Sequence, residues 1–159
     1  MRKRIHLTII GFFLLLNGSL FAQTAGWGAG LSFGEPTGIC VKKWLDAEHA
    51  ITGSIAYSVA TVNNQLSVNA NYVWNELRVV GYNSRYGEQY GVGLRICTRP
   101  NESPQFGLRL SASFIWYPNK FPCDFFVEGA PVLYFNPYSG VGMDASAGIR
   151  FYFSRSNSK

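Results

Sequence analysis

The sequence predicts an all-β fold, an eight-stranded antiparallel up-and-down transmembrane β-barrel. Three observations carry that expectation. Apolar and polar residues alternate in nearly every segment from Trp27 to Phe153, a period of two that belongs to strands. Clusters of turn residues divide these segments at short intervals, as serial hairpins require. Aromatic residues make up 16% of the chain and 17 glycines accompany them, which suits strands and tight turns more than helices.

The first residues have a different character. Met1-Arg2-Lys3-Arg4 is basic, Leu7 to Leu16 (LTIIGFFLLL) is apolar, and NGSLFA leads to a cleavage point after Ala22. This is the pattern of a secretory signal peptide over 1–22, too short for a spanning helix. The barrel is expected over 23–153 and a polar tail over 154–159. Arg2, Lys3 and Arg4 leave with the signal, so 11 of the 14 basic residues remain against 9 acidic ones. No basic stripe is left, which argues against nucleic acid as a partner. Cys40, Cys97 and Cys123 are odd in number and fit no zinc spacing, so they read as buried thiols.

Taken in order, GWGAGLSFG sets Trp27, Ala29, Leu31 and Phe33 against Gly28, Gly30, Ser32 and Gly34, and EPTG (35–38) turns the chain. ICVKKWL sets Ile39, Val41 and Leu45 against Cys40, Lys42 and Trp44, and DAEH makes the next turn. AITGSIAYSV places Ile51, Ile55, Tyr57 and Val59 together, and QLSVNANYVW does the same with Leu66, Val68, Ala70, Tyr72 and Trp74. A longer connection, about 75–86, leads to YGVGLRI, although LRVVGY within it keeps strand character. TRPNESPQ is loop by composition. FGLRLSASFIW opposes Phe106, Leu108, Leu110, Phe114 and Trp116 to Gly107, Arg109, Ser111 and Ser113. DFFVEGAPVLYF is the ambiguous strand, because Phe125 and Phe126 adjoin and Pro131 interrupts. VGMDASAGIRFYF closes the series, with Val141, Met143, Ile149, Phe151 and Phe153 on one face.

Alternation alone does not say whether the apolar face meets a soluble core or lipid; the polar face does. It is mostly Gly, Ser, Ala, Asn and Thr, small residues that fit a narrow eight-strand interior. The apolar face carries aromatics near strand ends: Trp27, Phe33, Tyr57, Trp74, Tyr90, Phe106, Trp116, Phe125, Phe135 and Phe151. Aromatic girdles at both interfaces are a membrane-barrel trait. A soluble lipocalin-like ligand binder would need the large apolar side chains inside and Lys42, Arg109 and Arg150 outside.

The signal peptide, the eight strands and the terminal IRFYF resemble the small eight-stranded outer-membrane barrels of the OmpA/OmpX-like superfamily. GEPTGICVKKWL, YGVGLRI, FFVEGAPVLYF and DASAGIRFYF are similar to a family of predicted outer-membrane barrels. The resemblance implies a bacterial outer-membrane protein surrounded by lipid and lipopolysaccharide, inserted by the barrel-assembly machinery, with Phe153 as the assembly signal. It implies periplasmic termini, outward connections at 35–38, 60–65, 98–105 and 136–140, and a periplasmic 75–86 segment. A monomer is expected, with no metal and no cofactor.

The alternation assigns Lys42, Arg95, Arg109, Glu128, Asp144 and Arg150 to the interior, where charges demand partners. Glu128 is expected to pair with Arg109, Arg150 or both, since these lie on neighbouring strands. Four basic and two acidic groups would favour anions in any residual conduction. His49, beside Asp46 and Glu48, is the only histidine after the signal and reads as a solvated turn residue. No Ser sits in a nucleophile elbow, and GWGAG and YGVG open no helix, so neither catalysis nor a phosphate loop is expected. The expected role is non-catalytic, structural or at the envelope surface. The alternative is a narrow channel or carrier for a small solute or lipid, and a lipid-A-modifying enzyme stands further off.

Overall fold

The protein is described by a computed structural model covering residues 26–58, 65–79, 84–118, 120–137 and 139–153. The signal-peptide and tail assignments therefore lie outside the described residues. Eight strands follow in chain order: β1 Trp27–Glu35, β2 Thr37–Trp44, β3 His49–Ser58, β4 Gln65–Val79, β5 Ser84–Thr98, β6 Gln105–Pro118, β7 Cys123–Asn136 and β8 Gly140–Phe153. Each pairs antiparallel with the next, and β8 pairs with β1, so the sheet closes.

The register fixes the size of the barrel. From Glu35 the paired row runs through Ala145, Gly129, Ala112, Tyr90, Trp74 and His49. With the offsets of the β2 and β1 registers added, the stagger around the barrel comes to about ten residues. Eight strands with that stagger tilt by about 40° and enclose a cylinder of about 8 Å radius, measured between backbones. Such an interior is filled by its own side chains.

Two features permit this closure. A Cβ on Gly30 would lie 1.8 Å from the Ile149 carbonyl oxygen, and one on Gly93 would lie 2.1 Å from that of Ala70. Side chains there would collide with neighbouring backbone, so glycine lets β1 meet β8 and β5 meet β4. Pro131 lies within β7, opposite Met143 of β8. The ladder to β6 instead passes from Arg109↔Val132 to Ala112↔Gly129. A residue without an N–H is tolerated where one ladder is already interrupted.

The segment expected as a long connection at 75–86 is mostly strand. β4 and β5 stay paired from Leu66↔Thr98 to Val79↔Arg85, so only 80–83 joins them. The cause is packing within the ribbon: Leu77 and Tyr117 close over Gly87, where even a Cβ would approach Leu77 Cδ2 to 2.9 Å. The interior is also less uniformly polar than the sequence suggests. At the end where β1 begins and β8 finishes, Cys40, Trp44, Ala50, Val73, Ile115, Tyr117, Phe126 and Tyr152 form a buried apolar cluster.

Candidate functional site

The lumen holds the chemistry of this molecule, arranged in two charged layers. In the layer nearer the β1–β2 turn, Asp144 on β8 accepts bonds from Arg95 Nη1 of β5 and, at 3.1 Å, from Arg109 Nε of β6. Arg109 Nη2 reaches Glu128 Oε1 at 2.7 Å, and Ser113 donates to the other Glu128 oxygen at 3.1 Å. Arg109 Nη1 also touches Asn71 Oδ1 at 3.4 Å, and Asn71 donates to Thr52 Oγ1 at 3.2 Å. Two guanidiniums on one carboxylate, with a second carboxylate on one of them, tie β5, β6, β7 and β8 together. Charge-assisted bonds of this kind are the stronger ones available to a protein.

The layer nearer the termini centres on Asp124 of β7, which is fully buried. Arg150 Nε on β8 donates to its two oxygens at 2.9 and 3.2 Å, and Tyr152 Oη donates to Oδ2. The Arg150 guanidinium lies 4.3 Å over the Phe126 ring. Lys42 on β2, also fully buried, extends Nζ toward neutral oxygens: Asn75 Oδ1 at 2.6 Å, Gln89 Oε1 at 2.7 Å and Tyr117 Oη at 3.5 Å. Its ammonium sits 4.0 Å over the Trp44 ring. Asn75 in turn donates to the Glu48 carbonyl at 3.1 Å, linking the layer to the β2–β3 turn.

All six charged residues assigned to the interior lie there, but they do not make one network. Glu128 pairs with Arg109 and not with Arg150. Arg150 takes Asp124, which the sequence reading left out although it stands two and four positions before the inward Phe126 and Glu128. Among the described residues, Lys42 has no carboxylate within bridging distance. With Asp124 counted, four cations face three carboxylates, so the expected anion preference weakens to one unmatched ammonium. The neutral partners Asn75, Gln89, Tyr117 and Tyr152 carry no sequence signal beyond their parity.

Between the layers lies a void of about 30 Å³, with Thr52, Asn71, Arg109, Glu128 and Arg150 in its wall. That is room for about one water molecule. Among the described residues, Arg150 Nη2, Trp44 Nε1 and Ser111 Oγ are buried without a partner. Above the rim layer the lumen widens into a vestibule of about 450 Å³, bounded by Gln65, Arg95, Arg99, Tyr134 and Asp144.

Outside, the polarity is reversed. Leu94, Val127 and Ile39 are each more than 60% exposed. Trp27, Phe33, Tyr57, Trp74, Tyr90, Phe106, Trp116, Phe125, Phe135, Phe151 and Phe153 all lie on this outer face. The three cysteines are buried, as expected of them. His49 stays in its turn, with Nδ1 2.9 Å from Asp46. The Asp46 carboxylate also accepts the amides of Glu48 and His49, each at 2.8 Å, closing an Asx-type turn. Those amides, and then the His49 ring, hold its carboxyl below the usual carboxylate range. Among the described residues no three His, Cys, Asp or Glu side chains gather as a metal site. The chain matches no protein-family model, no curated protein and no solved structure.

Proposed function

We propose that this chain is a non-catalytic transmembrane barrel of a bacterial outer membrane, closed by its own lumen and serving a structural or envelope-surface role. The observation that carries the reading is the inverted polarity: Leu94 and Val127 face outward at 62% exposure while Lys42 and Asp124 are fully buried. In water that arrangement is unfavourable on both counts, whereas in lipid the outer face needs no cover. The dimensions agree. From Val141 to Phe151 on β8, strands tilted by about 40° rise about 25 Å, the height of a barrel's apolar band. The side-chain layers and the one-water void argue against a continuous aqueous path. Lipid and lipopolysaccharide are then the surrounding partners, and Phe153 at the end of β8 is the candidate signal for assembly.

Planar-bilayer recording tests the closed state. Protein folded into the bilayer should give no steady conductance. A stable conductance would overturn it in favour of a narrow channel.

A further inference from the structure

The wall of the barrel is one-sided along the first residues of β8. β8 is paired with β1 only from Ala145 to Phe153, because β1 ends at Glu35 and the chain turns at Pro36. Among the described residues, Gly140 to Asp144 are paired only with β7, opposite Ala130 to Tyr134. This one-sided edge continues the apolar outer surface. Val141 is 78% and Met143 67% exposed, and Leu133 flanks them. A strand edge bordering lipid is tolerated only where its free backbone groups line a wet cavity. Here they do, since Gly140 to Asp144 form one side of the 450 Å³ vestibule. Gly142 keeps that side thin: a Cβ there would come within 3.0 Å of the Tyr134 ring, another wall member.

The vestibule's spare hydrogen-bonding capacity lies on guanidinium donors, which suit an anionic headgroup. Neither of its carboxylates is available: Asp144 is held by Arg95 and Arg109, and Glu35 is engaged. Arg95 spends Nε on Cys97 and Nη1 on Asp144, while a guanidinium has five N–H donors. Arg99 contributes a second, half-exposed guanidinium, held by Glu102 and Gln65. A donor-rich pocket therefore opens sideways, past Val141 and Met143, toward the apolar exterior.

Resting on the membrane reading above, we infer that this notch is a lateral binding site for a single-chain anionic amphiphile from the bilayer. The headgroup lies against Arg99 and Arg95, and the acyl chain lies along the β8 edge over Val141 and Met143. The occupant is a lipid-borne carboxylate of the fatty-acid class.

Full-length protein with V141C, labelled at that thiol with an NBD fluorophore and folded into phosphatidylcholine vesicles, tests this directly. Cys40, Cys97 and Cys123 are buried, so labelling after folding is selective. The same label on V68C, on the outer face of β4 across the barrel, is the control. Doxyl-stearate should quench the V141C label along a saturable curve and the V68C label only in proportion to its membrane concentration. R99Q should weaken the saturable phase about tenfold, the scale of one charge-assisted pair. Equal, unsaturable quenching at both positions would overturn the site while leaving the barrel in lipid. No quenching at either would remove the membrane reading itself and the site with it.

Discussion

Removing the Asp124 carboxylate puts the lumen to a quantitative test. In D124A the Arg150 guanidinium keeps its burial and its place over Phe126 but loses both bonds from Nε, while Nη2 already has no partner. Two unit charges about 4 Å apart attract by about 4 kcal/mol at an effective dielectric constant of about 20. Stranding one member of a buried pair costs about 3–5 kcal/mol by measurement on other proteins, so the two scales agree. Removing the cation as well, in D124A/R150M, takes away the stranded charge. The double variant should then recover about half of the summed losses or more. Urea unfolding in phospholipid vesicles, followed by tryptophan fluorescence, reads D124A, R150M and the double variant. Additive losses, or a D124A variant within about 0.5 kcal/mol of the parent, would refute the view that this pair is a coupled, dry interaction.

Three further outcomes follow from other parts of the barrel. L94R places a guanidinium on the outer face at mid-height and should cost about 2–4 kcal/mol in vesicles; on a water-facing sheet the same change would be neutral within about 0.5 kcal/mol. G30A should prevent the β1–β8 closure, because its methyl would sit 1.8 Å from a backbone oxygen, whereas G140A meets nothing within 4 Å and should fold as the parent does; folding yields of the two variants compare them. Asp46, with its folded carboxyl held low, stabilises its turn above the unfolded carboxyl range and loses that contribution as pH falls through the folded value. The protection of the Glu48 and His49 amides, taken relative to intrinsic exchange at each pH, should therefore fall on acidification, and D46A should remove that pH dependence.

Parity was the legible part of this fold. Strand by strand, a period of two tells which side chains share a face, and it does so even at Phe125 and Phe126, which fall on opposite sides. It does not give axial height, because stagger enters through pairing between strands that are distant in sequence. Hence Arg150 could not be matched to Asp124 over Glu128: both acids lie on β7 facing inward, and only the register puts Asp124 opposite Arg150. The partners of Lys42 were invisible for a related reason. Asn75 lies in the stretch that composition marked as connection and Gln89 between it and YGVGLRI, and Gly87 makes sense as a strand residue only once Leu77 and Tyr117 are packed over it. The notch at β8 follows from unequal strand lengths, which turn signals locate only to within a few residues.

The membrane reading has one direct measurement: electrophoretic mobility in SDS of protein extracted from the outer-membrane fraction, with and without boiling. A barrel closed by β1–β8 pairing and locked by the Asp144 and Asp124 clusters should stay folded in cold SDS and shift only after heating. A single heat-independent band, with the protein recovered from the soluble periplasm, would contradict the account, because Leu94, Val127 and their outward neighbours would then face water.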